Sequence, residues 1–213
     1  MTLEVAMFPL GSVLLPGSLL PLHIFEDRYR RMIHDVLEDD CCFGVAFITR
    51  GSEVGGGEER SAVGVMATIV EATRFDDGRW AIGAVADRRF KVIEWLVDDP
   101  YPRARIEWWP EVSDDAPSSD GLDHLLDLIA GVGAMGEALG YTVPVVQREL
   151  PADSVALSYA LTSVSPLGPL DRFDLLCADG PRQRLELLEQ RLLDQQVLFG
   201  AQISMEDGTE PEL

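Results

Sequence analysis

The 213-residue chain carries 37 acidic and 17 basic residues, a net charge of −20, and is 46% hydrophobic. A surface this acidic repels phosphate backbones and anionic lipid, which argues against nucleic acid and membrane as partners. The length suits one large domain or two small ones, with roughly 70% of the unfolded surface buried on folding.

Residues 1–110 read as β-rich. LEVAMFPL predicts a short strand ended by Pro9, and SVLLPGSLLPLHI an extended stretch interrupted at Pro16-Gly17 and Pro21. The opening residues hold Glu4 and no basic cluster, unlike a secretory leader, and no apolar run approaches the roughly 20 residues of a membrane span. Phe25, Tyr29, Met32, Ile33, Val36 and Leu37 recur at three- and four-residue steps, predicting a three-turn helix with one apolar face. CFGVAFIT predicts a strand, RGSEVGGGEERS a polar loop, and AVGVMATIVEATRF a long strand leading into an Asp76-Asp77-Gly78 hairpin turn. RWAIGAVADRRFKVIEWLV returns as one or two strands. PRARIEWWPEV alternates, with Ala104, Ile106 and Trp108 on one face and Arg103, Arg105 and Glu107 on the other. Strands at this spacing with one early helix predict a small closed barrel.

Residues 111–121, EVSDDAPSSDG, read as a polar linker. Beyond it four helices are expected across 122–200. The second carries an N-cap at Asp153 or Ser154, and the fourth opens at Pro181 and buries Leu185, Leu188, Leu192 and Phe199. Residues 201–213 read as a disordered acidic tail. The fold class expected is α+β, a β-barrel with one early helix followed by a helical bundle. Cys41, Cys42 and Cys177 read as buried, unpaired thiols, consistent with the reducing cytoplasm.

Candidate chemistry is sparse. His23 with Glu26 or Asp27 has metal-ligand residue types but no usual ligand spacing, and His34 and His124 stand apart. Cys41-Cys42 is flanked by Glu38, Asp39 and Asp40, which discourage a thiolate nucleophile. The glycine-rich loop holds Glu53, Glu58 and Glu59 and no lysine, so it makes a poor phosphate cradle. Glu26 and Asp27 fall in a first helical turn, where negative charge favours the helix dipole. Neither a metal nor a cofactor is expected.

Taken in order, Phe8-Pro9-Leu10, Pro16-Gly17, Pro21-Leu22, Ile24-Phe25-Glu26, Arg28-Tyr29, Phe43-Gly44, Val63-Gly64, Asp77-Gly78-Arg79 and Arg89-Phe90 resemble the N-terminal, substrate-binding domain of Lon proteases. Leu175-Leu176 and Arg184-Leu185 extend the resemblance to about residue 199, while Ala86 stands where the family often has glycine. The resemblance implies a PUA-like barrel followed by a helical bundle. It also implies a protein-binding role toward unfolded or exposed polypeptide segments, with a protease or chaperone as a further partner. Lon's ATPase needs G-x-x-x-x-G-K-[ST], and the only lysine, Lys91, is followed by valine, so neither ATPase nor peptidase activity is expected. Leu14, Leu15, Leu19, Leu20, Trp108 and Trp109 are the candidate client-binding residues. Phe25, Glu26, Arg28, Tyr29, Arg89 and Phe90 are expected to be structural: Phe25 and Tyr29 as helix anchors, Glu26 and Arg89 as an ion pair. PUA-like folds also admit a small-ligand or nucleic-acid binder. An enzyme of unrecognised type would need a concentrated polar constellation.

Overall fold

The computed structural model describes residues 2–51, 59–112, 119–143 and 150–206. The chain divides into two compact units, Met1–Pro110 and Glu111–Leu213.

The first unit holds β1 (Thr2–Leu10), β2 (Leu19–Ile24), α1 (Asp27–Glu38), β3 (Cys42–Arg50), β4 (Glu59–Arg74), β5 (Trp80–Trp95) and β6 (Arg103–Trp108). The strand order is β2-β5-β4-β3-β1-β6, and β5 also pairs with β6. That pairing closes five strands into a ring and leaves β2 as an edge outside it. The long β4–β5 hairpin serves both parts, because β5 gives one end to β2 and the other to β6. The alternation in β6 holds, with Ala104 and Ile106 inside beside Met7, Met66 and Phe90.

Pro9 does not end β1. The strand runs to Leu10, pairing with β6 over Thr2–Ala6 and with β3 over Met7–Leu10. At Pro9 only β3 lies alongside, so the missing N–H breaks no ladder bond on the β6 side. The β5 segment is one strand, bulged against β4. The polar loop is described only at its ends; residues 52–58 lie outside the described residues.

The second unit holds α2 (Ser119–Ala138), α3 (Ser154–Val164), α4 (Pro169–Leu176) and α5 (Pro181–Glu206). Asp153 is the N-cap of α3, its Oδ1 accepting from the Ala156 N–H at 2.9 Å. Leu185, Leu188, Leu192 and Phe199 of α5 are buried with Leu125, Ile129 and Leu161. Helix α2 starts within the expected linker. Helix α5 continues through residues 201–206 of the expected tail, and residues 207–213 lie outside the described residues. The three cysteines are free but half-buried rather than buried.

Candidate functional site

The IFEDRY stretch is a joint between α1 and the barrel, although not in the way the sequence suggests. Tyr29 is buried, its ring 4.4 Å from that of Phe8, which in turn stands 6.3 Å from Phe43. Phe25 is 59% exposed and lies outside the buried stripe, because the helix begins two residues later and that stripe starts at Tyr29. The carboxylate of Glu26 accepts from Arg28 Nε at 3.0 Å rather than from Arg89, so the expected Glu26–Arg89 pair is not formed. The guanidinium of Arg28 lies 4.5 Å over the Tyr29 ring. One turn on, Arg30 pairs with Asp27 and donates to the Gly78 carbonyl at 2.8 Å. Gly78 has φ +82°, and a Cβ there would meet Arg30 Nη2 at 2.0 Å. The Asp77-Gly78-Arg79 turn and the Asp27–Arg30 helical turn are therefore one fastening. The N–H of Arg79, and then its side chain, hold the Asp77 carboxyl below the usual carboxylate range.

Phe90 explains the glycine pairs. A Cβ on Gly64 would stand 2.5 Å from the Val45 carbonyl and 2.6 Å from the Phe90 ring, and one on Gly44 would stand 2.9 Å from that ring. Phe43-Gly44, Val63-Gly64 and Arg89-Phe90 thus meet at one point inside the barrel. Arg89 is buried, donates to the Trp109 carbonyl at 3.3 Å and lies 4.0 Å over the Trp109 ring. Lys91 Nζ lies 4.1 Å from the same ring. Trp108 is half-buried against the barrel core, with Arg88 4.2 Å over it. Both tryptophans are committed to cation–π stacks.

The four candidate leucines divide. Leu14 and Leu15 are 8% and 1% exposed and belong to the core. Leu20 pairs with buried Ala84, whereas Leu19 pairs with Val85 on the opposite face and is 75% exposed. Alternation along β2 makes this split unavoidable. Leu19 and Trp108 sit opposite Val85 and Phe90 of β5, five residues or about 17 Å apart, so leucines and tryptophans do not share one patch.

In the second unit Arg184 is the polar centre. It is fully buried and donates to the Leu175 carbonyl at 2.9 Å, Ser158 Oγ at 2.7 Å, Glu111 Oε2 at 2.9 Å and Tyr159 OH at 2.8 Å. The Tyr159 hydroxyl also donates to Glu111. Glu111, read from sequence as linker, is the counter-charge of this network.

Sequence reading also missed a groove of about 420 Å3 in the same unit, lined by Tyr141, Leu167, Arg172, Leu198 and Phe199. Helix α2 stops here through Gly140, whose N–H bonds to the Glu137 carbonyl while that of Tyr141 reaches Gly136. Tyr141 then stacks on Phe199 at 5.4 Å. Among the described residues no three His, Cys, Asp or Glu side chains gather as metal ligands. His23 is exposed on β2, and His124 meets Glu189 at 3.1 Å. No described helix is long and apolar enough to cross a membrane.

This ring of strands with an attached helical unit coincides with a known domain. Residues 4–194 match the model of the ATP-dependent protease La (LON) substrate-binding domain. The chain belongs to this Lon domain family. It is similar to Lon protease 2 of Myxococcus xanthus, at 26% identity over 161 residues, 75% of this chain and 18% of that protein. It is also similar to a LON peptidase N-terminal domain and RING finger protein of Schizosaccharomyces pombe, at 27% identity over 78% of this chain and 40% of that one. The chain thus spans well under half the length of these Lon relatives. Among solved structures, the Lon N-terminal domain protein from Xanthomonas campestris superposes with a TM-score of 0.65 at 27% identity, covering 88% of this chain and 98% of that one. The N-terminal domain of Mycobacterium avium complex Lon protease shares the fold at 20% identity and a TM-score of 0.56, over 90% and 98%.

Proposed function

We propose that this Lon domain is a non-catalytic polypeptide-binding module that engages unfolded or exposed segments of other proteins through apolar contact. One observation carries the surface assignment. Leu19 is 75% exposed on the outer face of edge strand β2, within a chain that matches a substrate-binding domain over residues 4–194. Pro21, which has no N–H to give, sits in the middle of β2 and blunts this edge against strand addition, so side-chain contact is the mode. With a net charge of −20, tolerance of many client sequences must come from apolar rather than ionic contact. The lack of ATPase and peptidase motifs supports a binding role, and Lys91, the only lysine, has its ammonium on the Trp109 ring.

The test is titration of a reduced, unfolded model protein at low and high salt. Binding of roughly micromolar affinity or weaker is expected. It should be insensitive to salt and reduced by Leu19→Ser. Absence of binding removes the proposal, and binding abolished by salt but indifferent to Leu19→Ser moves the site to a charged face. ATP turnover that a point mutation in this chain abolishes would overturn the non-catalytic reading.

A further inference from the structure

The groove of the helical unit has a composition that the client-binding reading above does not use. Its apolar lining comes from Leu167, Leu198 and the Tyr141–Phe199 stack, with Tyr141 and Leu198 52% and 58% exposed. Gln195, Leu198, Phe199 and Gln202 recur along α5 at positions that share one helical face, so amides alternate with apolar side chains along the groove. At its α4 side stands Arg172. Its Nε donates to the Leu167 carbonyl at 3.1 Å and its Nη2 to the Ser165 carbonyl at 2.9 Å. The half-buried arginines differ in their surroundings. Arg191 is matched by Asp171 and Asp174, whereas no carboxylate of the described residues lies within ion-pair distance of Arg172. Burial pulls Arg172 below the usual arginine range.

We propose that this groove captures the C-terminal end of a polypeptide chain, its α-carboxylate on Arg172 and its last apolar side chains on the Tyr141–Phe199 floor. A chain terminus brings a carboxylate and an apolar side chain on the same residue, the spacing offered by Arg172 beside Leu167. The volume of about 420 Å3 is near the lower end for ligand pockets and fits a few terminal residues rather than a docked helix. Gln195, Gln202 and Thr142 supply both donors and acceptors, which peptide groups satisfy and a hydrocarbon tail leaves unpaired. In a chain of charge −20, a carboxylate ligand requires such a local cation.

The experiment is fluorescence anisotropy on the full chain. The probes are a labelled hexapeptide ending in Leu-Phe with a free carboxylate and the same peptide with a C-terminal amide. The wild type should bind the acid at least about tenfold more tightly than the amide. Arg172→Gln should bring the two within about twofold, and Leu198→Ser, at an exposed position, should weaken both. Leu19→Ser should leave both unchanged, which separates this site from the β2 surface. Equal affinity for acid and amide in the wild type, or discrimination surviving Arg172→Gln, overturns the proposal. Decanoate competing as well as the unlabelled peptide overturns the polypeptide occupant. Should Arg172→Gln fail to fold, the wild-type acid-to-amide ratio and Leu198→Ser decide.

Discussion

Replacing Glu111 with alanine should destabilise the helical unit far more than its position in a polar segment suggests. Arg184 is fully buried, and Glu111, with 18% of its side chain exposed, is its carboxylate partner. Without Glu111 the guanidinium is left with neutral acceptors, the Leu175 and Ala178 carbonyls and the Ser158 and Tyr159 hydroxyls. Breaking a buried pair from one side costs about 3–5 kcal/mol, because the remaining charge cannot reach water. The reverse change, Arg184→Met, leaves a carboxylate that can turn to solvent, so it should cost less, about 2 kcal/mol from lost hydrogen bonds. Urea unfolding followed by far-UV ellipticity measures both. With m of about 1.5 kcal/mol per M, a loss of 3 kcal/mol lowers the midpoint by about 2 M. The double variant should cost clearly less than the sum, with a coupling of about 1.5 kcal/mol or more. A Glu111→Ala midpoint equal to that of the wild type, or losses that simply add, would refute the reasoning.

Three further outcomes follow from the barrel. Gly64→Ala should cost about 3 kcal/mol or more, since its Cβ would meet the immovable Val45 carbonyl at 2.5 Å; an unchanged midpoint by tryptophan fluorescence would contradict this. Leu15→Ala should cost about 2–5 kcal/mol and Leu19→Ala no more than about 0.5, and equal losses would mean the two faces of this segment are misassigned. Burial alone would raise the Asp35 carboxyl, but hydrogen bonds from Arg31 and Tyr101 outweigh it and hold the group below its usual value. Its contribution is therefore full above about pH 4 and drains as pH falls through the lower, folded value. Asp35→Asn should flatten the acid limb of the stability profile, and an unchanged limb would show that the Arg31 and Tyr101 contacts carry no weight.

Much of this architecture was legible in the sequence because local rules and tertiary demands agree there. The 3.6-residue stripe Leu185, Leu188, Leu192 and Phe199 is buried as its periodicity requires, and the alternation in β6 sorts Ala104 and Ile106 inward. Asp153 caps α3 and Pro181 opens α5, each for a reason confined to its own helical turn. Residues whose role depends on distant neighbours were decided only by tertiary structure. Phe25 fits the apolar spacing of α1 but precedes the first helical residue and stays in solvent. Glu26 is held by Arg28, two residues away, while Arg89 is buried with its guanidinium on Trp109. Pro9 persists in β1 because ring closure places no β6 partner beside it. Leu14, Leu15 and Leu19 look alike in composition, and only the turn at Gly17 and the pleat of β2 send two inward and one outward. Glu111 and Arg172 left no local pattern at all. One is defined by a buried arginine 73 residues on, the other by the Ser165 and Leu167 carbonyls that hold its guanidinium, and side chains brought together by folding are what a linear chain cannot display.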